Sequence, residues 1–334
     1  MRPFKFTIAK DIASAQKAIQ ANPKARYLAG GTNLLDLMKE DVEQPDELID
    51  ITRLGLGQIK LITDGDNQGG ISLGAIGKNA DAANHSLIRQ NHPLLTKAIL
   101  AGASGQIRNM ATNAGNLLQR TRCPYFYDVA MPCNKRQPGS GCGALEGINR
   151  MHAIFGWSDQ CVAVYPSDMA VALSALDASV LVNNVEGTNR KIAFEDFHRL
   201  PQDKPQQDTT LHADELITAI EIPKNRFGKN YYYLKVRDRA SYAFALVSVA
   251  AAIELDGDRI IDARIALGGV AHKPWRALKA EDMLKGKDAS IENLRMAAAA
   301  EMESAKPLEH NKFKVELANR SIVRALQMAL VSKK

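Results

Sequence analysis

One stretch near the N-terminus decides the fold: Ala25-Arg26-Tyr27-Leu28-Ala29-Gly30-Gly31-Thr32-Asn33-Leu34-Leu35-Asp36-Leu37-Met38. Its pattern predicts a short strand over 25–28, a glycine-rich turn and a helix from Leu34, with the next strand at Leu48–Ile51. This order indicates a βαβ unit. Backbone N–H groups of the turn can point at an anion beside the positive end of the helix. An ordinary tight βα turn would have the same composition.

A second loop of small residues, Ala111-Thr112-Asn113-Ala114-Gly115-Asn116, follows a predicted helix through Leu94–Ile99. Two such loops in one domain can grip a dinucleotide. The sequence has neither G-x-G-x-x-G nor G-x-x-x-x-G-K-[ST], which argues against a Rossmann site and a P-loop. It also has no G-x-S-x-G and no recognisable acid/base pair, so nothing supports hydrolysis.

The composition is that of a folded globular protein. The 334 residues predict two or three packed units, and 46% of them are hydrophobic. The net charge is +6, and the lysines and arginines are scattered among acidic residues rather than gathered into a basic stripe. This distribution argues against nucleic-acid binding. The N-terminus lacks the apolar stretch of a secretory signal, and no run approaches the ~20 apolar residues of a membrane span. We therefore expect the chain to fold in the cytoplasm.

The pattern changes near 223–231, where we place a domain boundary. Three extended runs follow, at Tyr231–Val236, Ala243–Leu255 and Arg259–Val270, and the last two are joined by Asp256-Gly257-Asp258. They predict an antiparallel three-stranded meander. Helical patterns at 291–305 and 313–330 complete this C-terminal unit.

All four cysteines of the chain lie in one segment, at Cys123, Cys133, Cys142 and Cys161. Their spacings lack the C-x₂₋₄-C knuckle of structural zinc, and folding in the cytoplasm disfavours disulfides. Four thiolates from a loop stiffened by proline suit a [4Fe–4S] cluster. From the residues alone a cluster is favoured, while zinc and unliganded or disulfide-linked cysteines remain open.

Other polar residues have both a structural and a functional interpretation. Asp168 is expected to cap a helix at 167–176 or to contact a cofactor. Lys235 and Arg237 lie two apart on a strand and therefore face one side, either towards solvent or towards an anionic cofactor. The seven histidines show no metal-binding spacing, and most are expected to be surface or capping residues.

Taken in order, four motifs resemble the FAD-binding medium subunit of the molybdenum hydroxylases, the xanthine dehydrogenase and carbon monoxide dehydrogenase family. The motifs are 29–35, 106–117, 166–170 and 235–240, and Leu267-Gly268-Gly269-Val270-Ala271 fits the C-terminal domain of such subunits. The resemblance implies an α+β fold. Residues 1–223 would form a two-part FAD-binding domain of the PCMH type, with subdomains at about 1–55 and 56–223. Residues 224–334 would form the C-terminal domain of the carbon monoxide dehydrogenase flavoprotein type.

The segment 121–164 is an insertion relative to most of that family. It is similar to the insertion of the bacterial periplasmic aldehyde oxidoreductase branch, through Leu118–Asp128 and Arg237–Ala243. A related insertion occurs in 4-hydroxybenzoyl-CoA reductase, and in both cases it binds a [4Fe–4S] cluster. The resemblance therefore implies that the four cysteines are the cluster ligands.

The resemblance also assigns cofactor contacts to individual residues, and it assigns no catalytic residue. The first loop and its flanks would wrap the pyrophosphate, and the second loop would be a second clamp on it. Asp168 would hydrogen-bond the ribityl or ribose part of FAD. Lys235 would lie near the flavin, and Ile217 would contact the adenine or a ring. Gly102 falls where xanthine oxidoreductases have a bulkier residue. The predicted FAD contacts are Tyr27, Leu28, Ala29, Gly30, Gly31, Thr32, Asn33, Leu34, Gly102, Thr112, Asn113, Ala114, Gly115, Asn116, Asp168, Ile217 and Lys235.

The implied function is a redox relay in a heterotrimer. A large molybdopterin subunit would oxidise an aldehyde, a small [2Fe–2S] subunit would pass the electrons on, and FAD in this chain would deliver them to an external acceptor. No nicotinamide site is recognisable. The complex would be periplasmic, with this chain the passenger of a twin-arginine signal on a partner, or else cytoplasmic. The alternatives are another molybdenum hydroxylase of the hydroxybenzoyl-CoA reductase or xanthine dehydrogenase type, a stand-alone flavin oxidase and a zinc scaffold.

Overall fold

A computed structural model describes residues 1–331, and its N-terminal part is a small parallel sheet with two helices. The strands β1 and β2 both pair in parallel with β3, which gives the strand order β1-β3-β2. The βαβ unit predicted around the first glycine loop is therefore present, as β2, α2 and β3. The elements are β1 (Lys5–Ile8), α1 (Ile12–Ala21), β2 (Ala25–Leu28), α2 (Leu34–Lys39) and β3 (Glu47–Asp50).

The middle part is a five-stranded antiparallel sheet with helices packed on it. Its strand order is β4-β5-β8-β6-β7, so β8, the last strand in sequence, lies at the centre of the sheet. Its elements are β4 (Ile59–Leu61), β5 (Ile71–Gly74), α3 (Asn79–Asn84), α4 (Ser86–Asn91), α5 (Pro93–Ala101), α6 (Gly105–Met110), α7 (Asn113–Leu117), α8 (Pro124–Tyr127), α9 (Gly143–Glu146), α10 (Asp168–Ala175), β6 (Ser179–Asn183), β7 (Asn189–Ala193), α11 (Phe194–Phe197) and β8 (Leu216–Ile222).

The C-terminal part is an antiparallel sheet covered by helices. The three predicted strands are present, and a two-residue edge strand, β12, makes the order β12-β11-β10-β9. A strand of two residues is too short to produce an alternating pattern, so the sequence did not reveal it. The elements are β9 (Tyr231–Val236), β10 (Val247–Asp256), β11 (Arg259–Gly268), β12 (Trp275–Arg276), α12 (Leu278–Leu284), α13 (Ile291–Met302) and α14 (Phe313–Val331). No helix within residues 1–331 is both long and apolar enough to cross a membrane.

Strand β10 joins the two larger parts because it is buried on both faces. Val249 and Ile253 point into one core, which is shared with α13 and α14. Ala250 and Ala252 point into the other core, which also contains residues of α5, α10 and the five-stranded sheet. A strand buried on both faces reads as a continuous apolar run, as Val249–Ile253 does. The C-terminal sheet is therefore an inner layer of the molecule.

The segment 121–164 is anchored rather than loose. Its two ends meet, since the Thr121 hydroxyl donates a hydrogen bond of 2.9 Å to the Val164 carbonyl oxygen. Farther along, the buried ammonium group of Lys314 donates to the carbonyl oxygens of His152, at 2.8 Å, and of Gly269. The segment is thus tied both to itself and to helix α14.

Candidate functional site

The two glycine-containing loops lie against each other. The first joins β2 to α2 and the second joins α6 to α7. A Cβ atom on Gly30 would lie 2.1 Å from the carbonyl oxygen of Met110, so only glycine lets these two backbones approach so closely. Gly31 has a φ of 70°, the left-handed region that favours glycine. The contact places both loops along one pocket.

This long pocket has two compartments. The first, with about 1180 Å³ of empty space, is lined by residues 26–34 and by Ile217 among others. The second, with about 1160 Å³, is lined by parts of α5 and α6, by Asp168 and Lys235, and by the 242–244 segment. Thr32, Asn33 and Gly115 line both compartments, which makes the pocket continuous past the glycine loops. Its length suits an extended ligand better than a compact one.

Two polar atoms in the first compartment are buried without a hydrogen-bond partner, the Tyr27 hydroxyl and the Asn33 amide nitrogen. Asn33 is held in place through its other side-chain atom, because its Oδ1 accepts a hydrogen bond of 2.9 Å from the Arg120 N–H. Burial raises the pKa of Tyr27 above its ordinary value, so its hydroxyl stays a neutral donor. An unsatisfied buried donor costs about 1–3 kcal/mol. These donors therefore fit a ligand rich in acceptors, such as the phosphates and bases of FAD.

A buried ion pair forms one wall of the second compartment. The Lys235 ammonium lies 2.7 Å from Asp168 Oδ2, and both side chains are more than nine-tenths buried. The Tyr233 hydroxyl donates to Asp168 Oδ1 at 2.6 Å, and burial together with the Asp168 charge raises the pKa of Tyr233. Gly102 keeps this wall open, since a Cβ there would lie 3.2 Å from Asp168 Oδ2. The pair offers a fixed charge pattern to the hydroxyl and carbonyl groups of a ligand.

Two strained backbone positions lie at the second compartment. Ala103 and Tyr242 each have a φ of 50°, and both line this compartment. A non-glycine residue in this region costs about 1–3 kcal/mol and persists where the surrounding structure enforces it. Arg239 helps to do so, because its Nε donates a hydrogen bond of 3.1 Å to the Tyr242 carbonyl oxygen. Such strain is typical of ligand sites.

The structure brings almost all the predicted FAD contacts together. Every one of them except Asn113 lines the long pocket. Asn113 is instead fully buried behind the second loop, where its amide nitrogen donates a hydrogen bond of 2.9 Å to the Gly74 carbonyl oxygen. The role of Asn113 is therefore to brace the loop. The other contacts remain predictions about FAD itself.

Asp168 lies in the first turn of α10, as the capping interpretation requires, but it is not the N-cap. The N-cap of α10 is Ser167, whose hydroxyl accepts a hydrogen bond of 3.0 Å from the Ala170 N–H. Asp168 is the first residue of the helix, and its carboxylate is occupied by Lys235 and Tyr233.

Among the residues at the site that were not predicted are Tyr233, which bonds Asp168, and two residues of the pocket wall, Arg122 and Phe244. Tyr233 lies two positions before Lys235 and therefore shares its strand face, a signal that the sequence did contain. Arg122 and Phe244 line the second compartment. Nothing in the local pattern of either residue indicates this, because their positions depend on contacts between distant segments.

The four cysteines line one small cavity with about 270 Å³ of empty space. An isolated bridge pairs the backbones of Cys133 and Cys142, and all four thiols are free. Within residues 1–331, no three His, Cys, Asp or Glu side chains are grouped so as to hold a metal ion. The structure thus places the four predicted ligands around one cavity, but their side chains do not converge on one point.

The cavity is desolvated. Burial raises the pKa of Cys123 and of Cys161 to about 12. The Cys123 sulfur lies 3.1 Å from Nε2 of His152, and burial lowers the pKa of this histidine to about 4. Neutral thiols are therefore favoured here until a positively charged centre compensates the thiolates.

A buried ion pair stands beside the cysteines. Lys135, which lines their cavity, is almost fully buried and is paired with Asp208. Burial alone would raise the pKa of Asp208, but the charges of Lys135 and Arg120 hold it well below its usual range. The cavity therefore has a buried lysine, paired with an acid, in its wall.

Comparison with known families and proteins identifies the architecture. Residues 2–225 match the FAD binding domain in molybdopterin dehydrogenase, and residues 232–329 match the CO dehydrogenase flavoprotein C-terminal domain. The carbon monoxide dehydrogenase structure from Hydrogenophaga pseudoflava superposes with a TM-score of 0.76 at 24% identity, covering 99% of each chain. This likeness confirms the predicted α+β fold.

Two relatives support the assignment of this chain to a family. The aldehyde oxidoreductase FAD-binding subunit PaoB of Escherichia coli is 50% identical over 98% of this chain and 99% of its own length. The glyceraldehyde dehydrogenase medium chain of Sulfolobus acidocaldarius is 29% identical over 85% of this chain and 82% of its own. The family inferred from the four motifs is thereby confirmed: the chain belongs to the FAD-binding medium subunits of the molybdenum hydroxylases, and it is an oxidoreductase subunit.

Proposed function

We propose that this chain is the FAD- and [4Fe–4S]-binding electron-transfer subunit of a molybdenum-dependent aldehyde oxidoreductase. The observation that carries the proposal is the placing of all four cysteines around one cavity, in a chain half identical to an aldehyde oxidoreductase FAD-binding subunit. The cysteine spacings lack the C-x₂₋₄-C knuckle of structural zinc, which favours a four-iron cluster over a single Zn²⁺. Cys123, Cys133, Cys142 and Cys161 would be the ligands.

The residues of the long pocket bind and orient FAD in this proposal. Backbone N–H groups of the glycine loops neutralise the pyrophosphate, and the Tyr27 hydroxyl and Asn33 amide supply the buried donors. Asp168, kept in place by Lys235 and Tyr233, accepts hydrogen bonds from ligand hydroxyls. Bound FAD supplies the ability to accept two electrons and release them again. The chain needs no acid or base of its own for this task, so no residue is assigned as catalytic.

The proposal includes partners. A large molybdopterin subunit and a small [2Fe–2S] subunit would complete a heterotrimer that delivers electrons to this chain, which hands them to an external acceptor. The relatives support this, because PaoB is a subunit and the Sulfolobus acidocaldarius relative is a medium chain. The complex would be exported to the periplasm by a twin-arginine signal on a partner. Affinity purification of the tagged chain from its host should recover both partners, and fractionation should place them together.

The cofactor assignment is tested by the purified full-length chain. We expect flavin absorbance near ~450 nm, a broad iron–sulfur absorbance beneath it, and iron and acid-labile sulfide in equal amounts. Zinc in place of iron would refute the cluster. Absence of flavin after reconstitution would refute the FAD site.

The subunit assignment needs a separate measurement. The chain alone should oxidise no aldehyde with an artificial acceptor, whereas the complete complex should do so. Turnover by the isolated chain would identify a stand-alone oxidase instead.

A further inference from the structure

Arg122 stands where the cysteine segment meets the long pocket. It immediately precedes Cys123, and its side chain lines the second compartment together with Asp168 and Lys235. It also lines an adjoining pocket that extends to Cys123 and His152. Arg122 is therefore a positive charge supplied to the FAD pocket by the segment that bears the cysteines.

One edge of the Arg122 guanidinium is fixed by neighbours. Its Nη1 donates to the carboxylate of Asp36 and to the hydroxyl of Tyr127, and that hydroxyl donates to Asp36 at 2.9 Å. The guanidinium carbon lies 5.5 Å from the centre of the Phe244 ring. Asp36 belongs to α2, the helix that follows the first glycine loop. Arg122 thus joins the FAD loop, the cysteine segment and the C-terminal part of the molecule.

The other edge of the guanidinium is free. Its Nε is buried and has no hydrogen-bond partner. A buried N–H of a charged group is costly to leave unpaired, so this edge needs an acceptor. The second compartment has the aromatic and aliphatic walls, at Ile99, Ile107 and Phe244, that a flat ring system needs. The glycine loops, which suit the pyrophosphate, lie at its junction with the first compartment.

We propose that Arg122 contacts the flavin end of FAD and stabilises its reduced, negatively charged form, so that the cysteine segment sets the flavin reduction potential. The proposal rests on the proposed function, because it requires FAD in the long pocket. A guanidinium remains protonated at all relevant pH values, so its charge is permanent. A positive charge beside a flavin favours the form with the extra negative charge. Asp36, on the far side of the guanidinium, acts in the opposite direction.

The test is the flavin midpoint potential of the reconstituted full-length chain, measured by spectroelectrochemical titration at one pH. Arg122→Gln removes the charge and leaves the Asp36 carboxylate unpaired. We expect the reduced flavin to be at least tenfold less favoured relative to the oxidised form, which for a two-electron couple lowers the potential by about 30 mV. Arg122→Lys should restore most of the difference.

Two further variants separate charge from structure. Asp36→Asn should raise the potential, the opposite direction, whereas a purely structural defect would shift both variants alike. Arg150→Gln is the matched control: this arginine lies in the same segment and pairs with Asp238 at 2.9 Å, but it does not line the long pocket. It should leave the potential unchanged.

The outcomes distinguish the two proposals. If Arg122→Gln holds FAD at an unchanged potential, or if Asp36→Asn fails to raise it, the role of Arg122 is refuted while FAD binding stands. If the parent chain holds no FAD, the proposed function itself fails. If Arg122→Gln loses FAD, the other two variants test the proposal. A potential near that of the parent in Arg122→Lys and a raised potential in Asp36→Asn support the role of Arg122, and any other result refutes it.

Discussion

The long pocket and the cysteine cavity are built in opposite ways. The pocket takes its walls from residues as far apart as Arg26 and Phe244 and from every part of the fold. The cavity takes its lining from a single segment, 121–163. The pocket is therefore fixed by the packing of the whole molecule, whereas the cavity depends on local hydrogen bonds such as those from Arg136 to the carbonyl oxygens of Tyr125 and Phe126. Damage to the two sites should have different consequences.

The largest effect is expected at the cavity. Cys142→Ser removes one of four proposed ligands, and the purified protein should contain almost no iron. Because the cavity is local, FAD content should stay that of the parent. Iron and flavin are measured on the same sample, so each controls the other. Loss of both would show that the two sites are not independent, and retention of iron would exclude Cys142 as a ligand.

The next effect is expected at the ion pair of the pocket. Asp168→Asn leaves Lys235 buried without its counter-charge, which should lower the free energy of unfolding by ~3–5 kcal/mol. Glu316→Gln is the control: its pair with Arg320 is exposed, so it should cost at most ~0.5 kcal/mol. Urea denaturation of the FAD-free chain measures both. Equal costs would mean that the buried pair does not support the pocket.

A buried histidine next to the pocket should make the free energy of unfolding fall in acid. His198 lies behind the second loop, with Nε2 2.9 Å from the Leu117 carbonyl oxygen, and burial lowers its pKa to about 4. The unfolded chain takes up this proton near pH ~6.5, so stability is lost as the pH falls from there towards 4, and nothing changes above pH ~7. The loss from this one group by pH 4.5 is roughly 2–3 kcal/mol.

The variant His198→Phe isolates that contribution. It keeps a ring against Tyr165 and should cost only ~1 kcal/mol at pH 7, for the hydrogen bond it loses. Urea midpoints at pH 7 and pH 4.5 should lie closer together than in the parent. If the difference between the two urea midpoints is the same in the variant and the parent, the acid sensitivity comes from other groups.

At the first glycine loop we expect a change in stability smaller than that at the buried ion pair. Gly31→Val places a side chain at a left-handed backbone position and 3.0 Å from Leu35, and should cost ~1–3 kcal/mol. FAD affinity should fall at least tenfold. Gly187→Val provides the comparison, since Gly187 has a φ of 79° but open space around it. It should show similar strain with unchanged FAD affinity, measured by flavin fluorescence. Equal loss of affinity in both would remove the loop from the site.

The sequence predicted those features that local pattern determines. Strand β9 was placed at its true bounds, 231–236, because an aromatic and aliphatic run between turn residues suffices to predict a strand. The glycine loops were recognised because small residues between a strand and a helix have few other uses. The short helices α3, α4 and α6, of six residues each, carry too little periodicity to be seen.

The missed parts of the site are long-range. Arg122 gains its place from Asp36 and Phe244, which are distant in sequence, and the ion pair of Asp168 joins α10 to β9. Asn113 was taken for a cofactor contact because the motif includes it, and only the packing shows that it faces the interior. Patterns therefore located the loops, while the partners of each side chain required the fold.

The hydrogen bond between Thr121 and Val164 makes the cysteine segment a closed excursion from the main chain. A segment whose two ends meet adds little chain entropy to the host fold, since doubling its length costs only about 0.6 kcal/mol. Such a segment can be inserted or removed as a unit, and the flanking second loop and helix α10 then keep their positions. A ligand cavity can in this way be carried by a flavoprotein fold without changes in the rest of the chain.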